Sequence, residues 1–142
     1  MKVLVKEKIA DTGVDLLRSK FDVDLGLEMS DEEFRAKLPE YDAILIRSAT
    51  KMTSELIDLA SNMKVIGRAG TGVDNVDIPT ATRRGIIVAN APESNSVAAA
   101  EHTLALALAL FRNVPQAHSS LVDGRWDRGK FKGAELYGKT LG

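Results

Sequence analysis

Apolar positions along this chain fall into short runs about twenty residues apart, with amphipathic stretches between them. Val3-Leu4-Val5, Ala43-Ile44-Leu45-Ile46, Val65-Ile66 and Ile86-Ile87-Val88-Ala89 are unbroken and rich in β-branched residues. Strands covered on both faces of a parallel sheet read this way. Phe21-Asp22-Val23-Asp24-Leu25 alternates instead, as a half-solvated edge strand does. Between the runs lie helix signals. Ser30-Asp31-Glu32-Glu33 is a capping box ahead of Phe34 and Leu38, and Thr53 is placed to cap residues 55–60. Asp74 or Asn75 is expected to cap a helix that runs to Arg83-Arg84, with Gly85 just past its end. Strict alternation of this kind predicts an α/β fold, a doubly wound parallel sheet of five strands. An edge position for the second strand selects the order 2-1-3-4-5, which is flavodoxin-like.

Beyond Pro92 the pattern changes. Asn95 or Ser96 opens a segment rich in Ala and Leu that reaches Asn113, with Pro115 after it. Its length and helix formers predict a helix, although Leu104, Leu106, Leu108 and Leu110 alternate. Val97, Leu104, Leu108 and Phe111 then share one side, while Leu106 and Leu110 lie roughly opposite. A helix apolar on two sides needs two partners. One can be the sheet of its own domain; the other must come from elsewhere. Residues 118–142 are polar and rich in Gly and Lys, and read as an arm. The expected division is residues 1–94 as a compact domain and 95–142 as a connecting helix and arm.

Composition narrows the function classes. The chain has 142 residues, 44% apolar and 27% charged, which fits one globular domain and excludes a disordered tail. A net charge of -1 supplies no field for nucleic acid or an anionic membrane. With no Cys, and with His102 and His118 far apart, neither a disulfide nor a thiolate or imidazole metal site is expected. The longest apolar run, residues 104–111, is less than half of what spans a bilayer, and residues 1–6 lack a signal-peptide core. A soluble, cytoplasmic domain is the expectation.

Candidate chemistry lies at the carboxyl ends of the strands, where open parallel sheets bind ligands. That rim carries Arg47-Ser48-Ala49-Thr50-Lys51, then Gly67-Arg68-Ala69-Gly70-Thr71-Gly72-Val73-Asp74, then Asn90-Ala91-Pro92. Glycines let the backbone approach a ligand and turn its N–H groups toward it, and two guanidinium forks suit carboxylate or phosphate. A small, doubly anionic ligand is therefore the functional reading. The plainer one is a tight strand-to-helix turn beside two solvated arginines. The glycine order, Gly-x-x-Gly-x-Gly, reverses the dinucleotide fingerprint, and Gly138-Lys139-Thr140 has no helix after it to make a P-loop. Glu101 and His102 are helix neighbours that diverge by about 100°, so they form no acid–base dyad. His118 reads as solvated, and Trp126 either as an anchor for the arm against a partner or as a local packing residue.

These motifs also carry a resemblance. Ile46-Arg47-Ser48-Ala49-Thr50-Lys51, residues 65–77, residues 81–86 and Asn90-Ala91-Pro92 do so in the first part of the chain. Ala100-Glu101-His102-Thr103, residues 112–117, Gly124-Arg125-Trp126 and residues 138–142 continue it. In this order and over nearly the whole chain they resemble the D-2-hydroxyacid dehydrogenases, in particular those that oxidise 3-phosphoglycerate to 3-phosphohydroxypyruvate in serine biosynthesis. The resemblance implies an oxidoreductase with NAD as cofactor and a flavodoxin-like substrate domain into which a Rossmann domain is inserted. It implies that Arg47 and Arg68 contact the anionic substrate, that amides around Ala69 and Gly70 hold its carboxylate, and that Thr71 lies near the nicotinamide. Helix 96–113 would cross between domains and help to build a homodimer. The family's dinucleotide fingerprint and catalytic His–Glu pair have no counterpart in residues 1–142, so no catalytic residue is assigned here. The chain reads as the amino-terminal piece of a dehydrogenase, inactive alone. A stand-alone association module of the same fold is the alternative. A receiver domain would need an acidic cluster where the third strand ends in Arg47.

Overall fold

The computed structural model describes residues 1–142, which separate into two compact units, Met1–Asn95 and Ser96–Gly142. In the first unit, β1 (Lys2–Val5), β2 (Asp22–Leu25), β3 (Ala43–Ile46), β4 (Val65–Arg68) and β5 (Ile87–Asn90) form one sheet. All pairings are parallel and the order is β2-β1-β3-β4-β5, as the alternation of apolar runs predicts. The crossovers are α1 (Asp11–Arg18), α2 (Asp31–Lys37) with a 3-10 turn at Leu38–Glu40, α3 (Ser54–Leu59) and α4 (Ile78–Arg83). Leu4, Ile44, Ile46 and Ile66 from the sheet meet Phe34, Leu38 and Ile57 from the helices in one buried core. Burial of such side chains stabilises by about 1.5–3 kcal/mol each, and this term holds the layers together.

Helix starts follow capping chemistry. Ser30 accepts from the N–H of Glu33, and Thr53 accepts from the N–H of Leu56. The cap of α4 is neither Asp74 nor Asn75 but Asp77, whose carboxylate accepts from the N–H of Thr80 at 2.9 Å. The segment before it is spent otherwise: Val76 makes a parallel bridge to Met52, and Asn75 and Asp77 bond to Met52 on either side. Gly85 ends α4 with a positive φ of 69°, the conformation that glycine adopts at least cost. β4 runs two residues further than Val65-Ile66 because Gly67 and Arg68 stay in register with Leu45 and Ile46. The expectation of double-sided burial fails for β5, an edge strand whose Ile87 is 65% exposed.

The second unit holds α5 (Ser96–Phe111) and α6 (Val114–Val122), with 64° between them. No residue of α5 is buried. Helix α6 corrects the expectation that helical structure stops near Asn113. Asn113 takes φ 53°, breaking α5, and Pro115 then sits in the first turn of a new helix, where its missing N–H costs nothing. Residues 123–142 contain turns but no further helix or strand, and the N–H of Ala134 ties this arm to the carbonyl of Phe111 at 2.8 Å. No single helix is long and apolar enough to cross a membrane.

Candidate anion-binding rim

Because Ile46 pairs with Arg68 across β3 and β4, the sheet delivers Arg47 and Arg68 to the same rim. The two side chains then part. Arg68 is only 12% exposed and lies over the glycine turn, with Nη1 donating to the carbonyl of Gly72 and Nη2 3.6 Å from Asp74 Oδ1. Its Nε is buried and has no acceptor, a guanidinium edge with bonding capacity left over. Arg47 is exposed, and its Nη1 reaches the carbonyl of Lys8 only at 3.4 Å. The structure thus brings the two arginines together at the backbone while their guanidiniums hold separate, mostly backbone partners.

The glycines have a steric role. A Cβ at Gly70 would stand 3.3 Å from Arg68 Nη1, and one at Gly72 would stand 3.2 Å from it and 2.9 Å from Asp74 Oδ1. Bare backbone here lets the guanidinium lie flat against the turn. The amides of Ala69 and Gly70, however, are engaged, donating to the carbonyls of Ile46 and Arg68 at 2.8 Å each. The first continues the β3–β4 ladder and the second closes a tight turn, so neither is the free donor that the resemblance implies. The amides of Thr71 and Gly72 donate to no protein acceptor and are the open ones. Thr71 itself is exposed, and its carbonyl accepts from Asn90 Nδ2 at 2.6 Å. Ala91 N–H to the carbonyl of Gly70 at 3.0 Å fastens the same turn to the end of β5.

Two further residues hold this rim: Glu7, which has no role in the sequence reading, and Asn75, which is expected there only as a helix cap. Glu7, just after β1, accepts from the amides of Arg47 at 2.8 Å, Thr50 at 2.9 Å and Ala49 at 3.2 Å. Partial burial opposes its charge, but these backbone donors, with Thr50 foremost, outweigh that and hold its carboxyl below the ordinary value. Asn75 donates from Nδ2 to the carbonyls of Arg47 at 2.7 Å and Thr50 at 2.6 Å. The position of Glu7 at the end of the first strand was the available signal; its contacts span some forty residues and left no local trace.

The residues present do not fit a dinucleotide. Six residues separate Thr71 from α4, and the carboxylate of Asp77 already caps that helix, placing negative charge where a pyrophosphate would need bare N–H groups. What the rim can do is take a small anion through guanidinium and amide donors.

A doubly wound α/β sheet in the order β2-β1-β3-β4-β5 is the flavodoxin-like architecture. Residues 3–138 match the model of the D-isomer specific 2-hydroxyacid dehydrogenase catalytic domain, and the chain belongs to that family. It is 50% identical over 141 residues to the D-3-phosphoglycerate dehydrogenase of Synechocystis, covering 99% of this chain and 26% of that protein. With the enzyme of the same name from Archaeoglobus fulgidus it shares 50% identity over 143 residues, covering 100% of this chain and 27% of the relative. The chain therefore spans about a quarter of the length of the curated relatives it matches. Among solved structures, a glyoxylate reductase from Paecilomyes thermophila superposes with TM-score 0.87 at 26% identity, covering 99% of this chain and 47% of its own. The NAD-dependent formate dehydrogenase of Staphylococcus aureus, solved with NAD, gives TM-score 0.79 at 26% identity, covering 96% and 46%.

Proposed function

We propose that this chain is the substrate-binding part of an NAD-dependent D-3-phosphoglycerate dehydrogenase, an enzyme that oxidises 3-phosphoglycerate to 3-phosphohydroxypyruvate for serine biosynthesis in the cytoplasm. The observation that carries the reading is Arg68, a guanidinium only 12% exposed that lies on the glycine turn, carried to the same rim as Arg47 by the β3–β4 pairing. Phosphate and carboxylate groups are the ligands that such forks hold best. In this reading Arg47 and Arg68 contact the substrate's anionic groups. Ala69 and Gly70 line the site, the open amides of Thr71 and Gly72 add donors, and Thr71 faces the side from which the nicotinamide approaches. Hydride transfer also requires a base at the substrate hydroxyl and a cofactor held against the carbon. Residues 1–142 contain no Gly-x-Gly-x-x-Gly, so a polypeptide of these residues alone binds substrate without turning it over. The family relation and the exposed apolar sides of α5 support a homodimer, formed with or without exchange of helix 96–113.

Titration of the chain with 3-phosphoglycerate, followed through backbone amide signals, tests the site. Shifts confined to residues 67–72 and to Arg47 are expected, and silence there favours an association module without a ligand. NADH formation from NAD and 3-phosphoglycerate by the same polypeptide is expected to stay at background, and turnover would overturn its reading as a binding part only.

A further inference from the structure

Arg47 is a long, exposed side chain on a loop, and a loop arginine grips an anion usefully only if its backbone is held still. The hydrogen bonds around it are more complete than a surface turn needs. On one side, the Glu7 carboxylate takes the N–H groups of Arg47, Ala49 and Thr50. On the other, Asn75 Nδ2 donates to the carbonyls of Arg47 and Thr50. Glu7 comes from the segment after β1 and Asn75 from the segment between β4 and α4, so the loop is clamped from both flanking connections. The second clamp has a further consequence. Asn75 follows directly on Gly72, Val73 and Asp74, the turn that receives Arg68, and its own carbonyl accepts from the N–H of Met52 at 2.8 Å. The two arginine-bearing connections are thereby tied to one another through a single side chain and its backbone.

We propose that Glu7 and Asn75 are positioning residues for the Arg47 guanidinium, fixing its loop from the amide side and the carbonyl side and setting its distance from Arg68. The inference rests on the reading of Arg47 as a contact to an anionic substrate. Neither residue touches that substrate. Glu7 is an anion already seated in a nest of backbone amides, so those amides serve to hold the loop and the guanidinium alone faces outward. A purely structural staple would show itself in stability, whereas a positioning residue shows itself in affinity that depends on Arg47.

A double-mutant cycle on the chain distinguishes these, with 3-phosphoglycerate as the probe and amide shifts as the readout. Glu7→Gln keeps the side-chain shape but replaces the charged acceptor, and Asn75→Ala removes the opposite clamp. Each is expected to weaken binding about tenfold, the worth of one misplaced charged hydrogen bond, while the unfolding midpoint moves by only a few degrees. In an Arg47→Ala background neither change is expected to weaken binding further. If the unaltered chain fails to bind the probe, the proposed function falls and takes this inference with it. If the chain binds and Glu7→Gln and Asn75→Ala leave affinity unchanged, or weaken it equally with and without Arg47, the positioning role alone is overturned.

Discussion

Arg68 donates through Nη1 to the carbonyl of Gly72, four residues further along the chain, and the guanidinium lies where a side chain at 72 would stand. A tight turn and a guanidinium share one volume here. Two of the three glycines in Gly-x-x-Gly-x-Gly, Gly70 and Gly72, leave space that an arginine of the same loop lies against, while the first, Gly67, faces Leu45 of β3.

Gly72→Ala follows directly. The added methyl would sit 2.9 Å from Asp74 Oδ1 and 3.2 Å from Arg68 Nη1, both at the far ends of flexible side chains. Those ends can swing away at small cost, so the fold is expected to survive with an unfolding free energy within about 1 kcal/mol of the parent. The displaced guanidinium no longer presents its donors at the rim. Affinity for 3-phosphoglycerate is expected to fall at least tenfold by calorimetric titration, in line with about 1.5–3 kcal/mol for a hydrogen bond to a charged group. Unchanged affinity would remove Arg68 from the site.

The edge position of the second strand could be read from Phe21-Asp22-Val23-Asp24-Leu25, whose alternation suits a half-solvated edge, and it favours the observed order among doubly wound sheets. Both arginines were likewise visible, since Arg47 directly follows the apolar run 43–46 and Arg68 comes two residues after Val65-Ile66. Helix boundaries were harder to read. Asp74, Asn75 and Asp77 are all good caps, and the choice among them is made by the bridge between Met52 and Val76, a contact with no local signature. Pro115 was ambiguous in the same way, since proline both follows a helix and begins one. The contacts of Glu7 and Asn75 with the Arg47 loop left no local trace, Asn75 reading only as a possible helix cap, because a carboxylate or amide declares its partner only once the sheet has folded. The engaged amides of Ala69 and Gly70 show the reverse error, in which a turn counted as open is already bonded.

Alkaline stability is expected to depend on Tyr41. Its hydroxyl donates to Asp24 Oδ2 at 2.9 Å, with Lys2 Nζ 3.3 Å from the same oxygen. Burial first, then the carboxylate beside it, push the phenol up to about 12. The unfolded phenol titrates near pH 10, so the neutral form favours the fold. This contribution is complete below about pH 10 and is lost as the pH rises toward 12, a change on the order of 2 kcal/mol. At the acid end the Tyr41 hydroxyl foremost, then, against the opposing cost of burial, Lys2, holds Asp24 below its ordinary value. That stabilisation is present above the ordinary carboxyl range and is lost as the pH falls through the lowered value. Urea unfolding of Tyr41→Phe is expected to show no alkaline slope from this group and a shallower acid slope than the parent.

Val97, Leu104, Leu106, Leu108 and Leu110 are each at least half exposed on α5, on both apolar sides of the helix. Monomeric proteins rarely leave apolar surface of this extent in water, since each Å² forfeits about 25 cal/mol of burial. A second copy of the chain, offering the same helix, can cover one side by two-fold symmetry. Sedimentation at high protein concentration is therefore expected to show a dimer. Leu104 and Leu108 are four residues apart on one side, and replacing both (Leu104→Glu with Leu108→Glu) puts like charges across the symmetry axis. This variant is expected to sediment as a monomer with its sheet intact by circular dichroism. A parent chain that stays monomeric at every concentration would show that α5 is not a dimer surface in this polypeptide.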